Sequence, residues 1–136
     1  MATIASKSTV YFLFLVYFVC ETVSTQHIPL VSSHSPTVPP TSWPSPSGRF
    51  AFGFYQKDNG LFKLGIWLFD RIKKTIVWTA NRDDPPVSSN ARLVLTINGE
   101  LLLQTGPGHK EVIALAHSNN GTVSSASMLD SGNFVL

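Results

Sequence analysis

Four histidines, one cysteine and eight acidic residues are the groups with which metal or acid–base chemistry could be built in this chain. Zinc ligands recur at short, fixed spacings, and His27, His34, His109 and His117 stand in no i, i+2 or i, i+4 relation to one another. The lone Cys20 excludes an internal disulfide and, by count, Cys₄ and Cys₂His₂ centres. Serine is plentiful, but the sequence holds no Gly-x-Ser-x-Gly elbow to expose a nucleophile. Gly106-Pro107-Gly108 has no helical pattern after it and reads as a turn, not a phosphate loop. Arg71, Lys73 and Lys74 keep a hairpin tip solvated. The one modification motif is the Asn120-Gly121-Thr122 sequon, which marks Asn120 for N-glycosylation on an exported chain. The residues therefore describe a protein that is not an enzyme and needs neither metal nor cofactor.

The elements that position these residues follow from length and pattern. A chain of 136 residues holds one domain, too short for a kinase. With 13% charged residues, 43% hydrophobic ones and a net charge of +2, it has neither a disordered polar composition nor the basic surface of a nucleic-acid binder. Lys7 precedes the apolar run Val10 to Cys20, which small and polar residues follow. That run is too short to span a membrane and has the length of a signal-peptide core, so residues 1–25 read as a cleaved signal peptide and the mature chain as secreted. Cleavage removes Lys7 and Glu21, one charge of each sign, together with Cys20.

Residues 26–42 form a Pro/Ser-rich extended lead-in, because Pro36, Pro39 and Pro40 bar a helix or a central strand; Trp43 marks where the chain packs down. From Gly48 onward short apolar runs alternate with period two. Phe50, Phe52 and Phe54 share one face; Phe62, Leu64, Ile66 and Leu68 oppose Trp67 and Phe69 on a strand apolar on both sides. Leu93, Leu95 and Ile97 lead into Asn98-Gly99, a strong hairpin signal, with Leu101 and Leu103 beyond it. Further runs cover Thr75 to Ala80, Glu111 to Ala116 and Asn133 to Leu136. No stretch of the mature chain keeps a helical apolar period, so the domain is all-β. Gly48, Gly99 and Gly132 each precede apolar residues two apart, which predicts three related hairpins. The chain stops at Leu136 within an apolar strand, and the domain at 43–136 reads as C-terminally incomplete.

Four segments in this order resemble the bulb-type mannose-binding lectin domain, in the form found at the N-terminus of plant G-type lectin S-receptor-like serine/threonine kinases. They are Ser45-Pro46-Ser47-Gly48-Arg49-Phe50-Ala51-Phe52-Gly53-Phe54, Leu64-Gly65-Ile66-Trp67, Thr75 to Asp83, and Met128 to Leu136. The resemblance implies a type II β-prism: short antiparallel sheets about a pseudo-threefold axis, with tryptophans such as Trp67 and Trp78 near the centre. It implies a third sheet left incomplete. It also implies mannose-type glycans or a glycoprotein as partner, an extracellular location, and a cell-surface one where a longer receptor kinase supplies the membrane segment.

The family's sugar motif is Gln-x-Asp-x-Asn-x-Val-x-Tyr, whose alternate side chains line one face of a strand. Laid over the third hairpin it falls on Leu129, Ser131, Asn133 and Val135, and Asn133 and Val135 match. Asp130 is one position out of register. Over the second hairpin it falls on Thr96, Asn98, Glu100, Leu102 and Gln104, polar at Asn98 and Glu100 but with no identity; over the first, on Ser45, Ser47, Arg49, Ala51 and Gly53. In Ile113-Ala114-Leu115 an alanine takes the place where the family pattern carries a tryptophan. The site candidates are thus Ser131, Asn133, Val135, Asn98 and Glu100, all in degenerate motifs. The implied function is a carbohydrate-binding module of a secreted or receptor ectodomain. The alternative is a sugar-inactive lectin fold used for protein recognition or homodimerisation, for which the exposed strand edge of an incomplete sheet provides a surface.

Overall fold

A computed structural model describes residues 26–119 and 121–136. The signal-peptide reading of residues 1–25 and the glycosylation reading of Asn120 fall outside these. Alternating apolar residues turn each run into a strand with one inward face, and eleven strands result among the described residues. In chain order they are β1 (Ile28–Pro29), β2 (Ser32–His34), β3 (Ser42–Pro44), β4 (Phe50–Asp58), β5 (Leu61–Asp70), β6 (Lys73–Thr79), β7 (Arg92–Leu95), β8 (Leu101–Thr105), β9 (Glu111–Ala116), β10 (Ser125–Met128) and β11 (Phe134–Val135). Among these residues no helix is long and apolar enough to cross a membrane.

The strands form three antiparallel sheets in the orders β3-β4-β5-β6, β2-β7-β8-β9 and β1-β10-β11, here sheets one, two and three. This is the all-β prism, with three strands in its third sheet and four in each of the others among the described residues. Inward residues of all three meet in one core that includes Phe52, Phe54, Leu93, Leu95 and Met128. An aromatic chain threads it: the Trp43 ring lies 5.8 Å from that of Phe134, Phe134 lies 4.6 Å from Phe52, and Phe52 lies 6.5 Å from Trp78.

Three readings of the sequence change here. The lead-in segment belongs to the fold: it supplies β1 and β2, edge strands of sheets three and two, and runs into β3, the edge of sheet one. Its prolines tolerate this because an edge strand leaves one row of backbone groups unpaired. The predicted threefold relation holds between sheets, but Gly48 is not the counterpart of Gly99 and Gly132. The inward pairs Phe52↔Ile66, Leu95↔Leu101 and Met128↔Phe134 align β5 with β8 and β11, so the matching turn of sheet one contains Gly60. A shared irregularity fixes the match: register steps between Ile66 and Trp67 against β6, and between Leu101 and Leu102 against β9.

The tryptophan readings change with the register. Trp67 is 7% exposed but lies on the outer face, outside the common core, with Lys74 Nζ 3.7 Å from its ring centroid. Trp78, read as core, is 52% exposed, because the side that faces the prism axis opens into a cavity. Ala114 pairs with Leu102 on the outer face and is exposed, so no core aromatic is missing there; the counterpart of Trp78 is Ala116, paired with Leu101.

Candidate functional site

Equivalent positions on the three outer faces carry different chemistry. On sheet one the counterparts of Asn133 and Val135 are Gly65 and Trp67. Tyr55 lies over Gly65, where an added Cβ would come within 2.9 Å of its ring, and the Tyr55 hydroxyl shares a 2.9 Å hydrogen bond with Thr79 Oγ1. With Trp67 capped by Lys74, this face is filled by the protein's own side chains. On sheet two the counterparts are Glu100 and Leu102, and Leu102 is flanked by Val94 and Ala114 in the register. At Leu102 that face is aliphatic; its polar groups are Glu100 and, one pair further along, Arg92 and Gln104.

On sheet three Val135 pairs with Ser127, and Ser125 lies two residues along on the same face. His27 Nδ1 stands 3.4 Å from Ser125 Oγ and 3.5 Å from Ser127 Oγ. These groups, with Ser118, Thr122 and Val123, line a cleft of about 300 Å³, at the lower end of the ~300–1,000 Å³ usual for small-ligand sites. Hydroxyls and imidazole both donate and accept, and Val135 adds an apolar wall; this is the mixture a pyranose ring presents in reverse.

The residues singled out in the sequence divide accordingly. Val135 lines this cleft. Ser131 and Asn133 are exposed at the β10–β11 turn, where Asn133 Nδ2 donates to Ser131 Oγ at 3.3 Å. Asn98 and Glu100 belong to sheet two and do not join them, although the Asn98-Gly99 tip abuts the cleft wall: a Cβ on Gly99 would collide with Val123. His27, Ser125 and Ser127 were missed because their partners lie about a hundred residues away in sequence, and nothing local marks them.

Asp130, out of register for a sugar, has a different task. Its Oδ1 accepts from Ser47 N at 3.0 Å and Ser47 Oγ at 2.6 Å, tying the β10–β11 turn to the β3–β4 turn. The Ser47 hydroxyl, then that of Ser45, hold its carboxyl below the usual carboxylate range, with Arg49 adding a smaller charge effect. His34 packs against Trp43, ring centroids 4.5 Å apart, with Nε2 buried and unpartnered. Burial pulls its imidazole below 6.5, partly offset by a hydrogen bond to the Pro40 backbone.

The family model described as D-mannose binding lectin matches residues 75–136. The chain is 43% identical over 101 residues, 71% of its length, to the G-type lectin S-receptor-like serine/threonine-protein kinase RLK1 of Arabidopsis thaliana. It is 37% identical over 122 residues, 82% of its length, to the G-type lectin S-receptor-like serine/threonine-protein kinase LECRK1 of Oryza sativa subsp. japonica. It is 34% identical over 130 residues, 93% of its length, to the S-locus-specific glycoprotein S6 of Brassica oleracea. The chain spans 12%, 14% and 28% of these relatives' respective lengths. Sheet architecture, motif order and relatives agree: the chain belongs to the bulb-type lectin domain family, as the lectin portion found in plant G-type lectin S-receptor-like kinases.

Proposed function

We propose that this domain is an extracellular glycan-binding module whose working face is the outer cleft of sheet three. The observation that carries this reading is the contrast between faces: side chains fill the equivalent place on sheet one, Val94, Leu102 and Ala114 with the carboxylate of Glu100 occupy it on sheet two, and among the described residues only sheet three combines an apolar Val135 wall with hydroxyls and an imidazole in one cleft. Val135 packs on the apolar face of a mannose-type residue, while His27, Ser125 and Ser127 exchange hydrogen bonds with its hydroxyls. Asn133 and Ser131 extend the polar rim for the next sugar of a chain. In this reading residues 1–25 are removed on export and Asn120 is glycosylated. An intact mass that falls after peptide-N-glycosidase treatment supports the latter, and an unchanged mass rejects it.

Amide spectra of the secreted chain with and without methyl α-mannoside test the sugar reading. Shifts confined to Ser125, Ser127 and Val135, lost in Val135→Glu, are the expected result; a spectrum unchanged in large sugar excess overturns it. A second reading, a lectin fold used for protein recognition, is favoured by the apolar patch of Val94, Leu102 and Ala114 on the outer face of sheet two.

A further inference from the structure

We propose that the end of the β5–β6 hairpin docks the domain on an anionic phospholipid bilayer, with Ile72 entering the interface and Arg49, Arg71, Lys73 and Lys74 meeting the headgroup phosphates. The inference goes beyond glycan binding and uses a different part of the prism from the sheet-three cleft.

The turn is the first observation. Strands β5 and β6 close on the Asp70↔Lys73 pair, which leaves Arg71 and Ile72 to make the bend. Ile72 N donates to Asp70 O at 2.6 Å, so the reversal takes three residues, and Arg71 at its centre has a φ of 53°. Glycine, asparagine and aspartate take this left-handed conformation readily, and other side chains are uncommon there. The next residue is a β-branched aliphatic that is 96% exposed, the most exposed of the large hydrophobic residues described. Neither choice serves the fold: charges alone would keep the tip solvated, and a tight reversal takes glycine more easily than arginine. A locally unfavourable pair held at an exposed apex points to a use outside the chain.

The surroundings of the turn are the second observation. One pair behind the tip, Phe69 stands opposite Lys74 in the ladder and is 48% exposed. Phe69 N donates to Arg49 O at 2.7 Å, which brings the β3–β4 turn alongside. Arg49, Arg71, Lys73 and Lys74 thus gather at one end of sheet one, four of the ten basic residues of the chain. Asp70 stands opposite Lys73, and Asp130 is already bonded by Ser47, so positive charge prevails at this end.

A convex apex encloses no small ligand. The sequence of layers, an aliphatic tip, then arginine and lysine beside it, then an aromatic ring among further cations, follows the depth profile of a bilayer interface from acyl chains to phosphates. An acidic protein would have to offer a pocket to Ile72 and separate carboxylates to cations on two different turns. Lipid headgroups are mobile and meet both demands at once, and each Lys or Arg near an anionic surface strengthens binding about fivefold.

Flotation of the secreted chain with lipid vesicles tests this. Binding is expected to vesicles of phosphatidylcholine and phosphatidylglycerol in equal parts and not to phosphatidylcholine alone; it should weaken as salt rises and ignore methyl α-mannoside. With nitroxide-labelled lipid, broadening is expected first at the amides of residues 70–74. Ile72→Asn and the double variant Arg71→Gln/Lys73→Gln are each expected to weaken binding about tenfold or more. Lys57→Gln/Lys110→Gln removes the same charge from exposed positions elsewhere and is expected to weaken it about twofold at most. Arg71→Gly relieves the positive φ, so the melting temperature is expected to rise while binding falls about fivefold. Absence of binding, equal loss in the two double variants, full binding by Ile72→Asn, or broadening spread over the whole chain overturns the proposal. Retention on polyglutamate with vesicles ignored also overturns it and assigns the tip to an acidic protein.

Discussion

Sheets one and three share position, strand polarity and inward pairing but use their surfaces differently. At β4 and β5 both faces of sheet one are closed: Phe52 and Phe54 inward, Trp67 under Lys74 outward. Sheet three has a polar cleft outside, and its Phe134 borders a cavity on the prism axis that Trp78 and Ala116 also line. Closure and recognition are alternatives for the same surface, since a side chain that seals a face also removes the groups a ligand would meet. In the proposed reading sheet one carries the stability of the prism, and sheet three carries its interactions with glycans.

The largest test of this division compares Phe52→Ala with Phe134→Ala. Phe52 is 2% exposed and packed from several sides, so its loss is expected to cost about 3–5 kcal/mol. Phe134 already borders open space, and its loss is expected to cost about 1–3 kcal/mol; denaturant unfolding measures both, and equal values would break the comparison. Next come the hairpin turns. Gly99→Ala meets a positive φ of 77° and Val123 together, and more than about 2 kcal/mol is expected. Gly60→Ala has a φ of 73° but open space around it, and about 1 kcal/mol is expected.

Smaller effects are read from pH. His34 titrates below its ordinary 6.5 in the fold, so the unfolded chain binds the extra proton first, and stability falls as pH drops from 6.5 through the folded value. His34→Phe is expected to flatten that slope in melts run between pH 7 and 4.5. Asp130 titrates below the 3.8 of a free carboxyl, so its contribution is present above 3.8 and fades as pH falls further. Asp130→Asn is expected to lower the melting temperature slightly at pH 7 and to remove the acid-side loss, because Ser47 loses a charged acceptor.

Much of this was legible in the sequence. Alternation placed Leu64 and Ile66 opposite Trp67, and it set Leu93, Leu95, Leu101 and Leu103 in the core; period two is a local property, and the structure keeps it. Long-range pairing was not legible. Residues 28–34 pair with partners far along the chain, and serine and proline carry no alternation to announce a strand. The turn at Gly48 resembles those at Gly99 and Gly132, each with an N–H bonded to the carbonyl three residues before and a positive φ. Only cross-strand register reveals that it joins an edge strand to the second position of its sheet, not the second to the third. The cleft followed the same rule: Val135 belongs to a recognisable strand motif, whereas His27 reaches it from the opposite end of the chain.

The lacing of residues 28–44 across all three sheets also sets an order of events. Ile28 pairs with Ala126, and Ser32 with Leu95, so β2 has no partner until β7 has left the ribosome, and β1 none until β10 has. Hairpins β4–β5 and β7–β8 close locally, while closing the prism waits for the most distant contact. Loops of this length slow folding, and the predicted kinetic signature is a late phase that Ile28→Ala slows and a core substitution within β4–β5 leaves largely to the earlier one. The N-terminal clasp acts as a timing device: β1 finds its place in the prism only once β10 has been made.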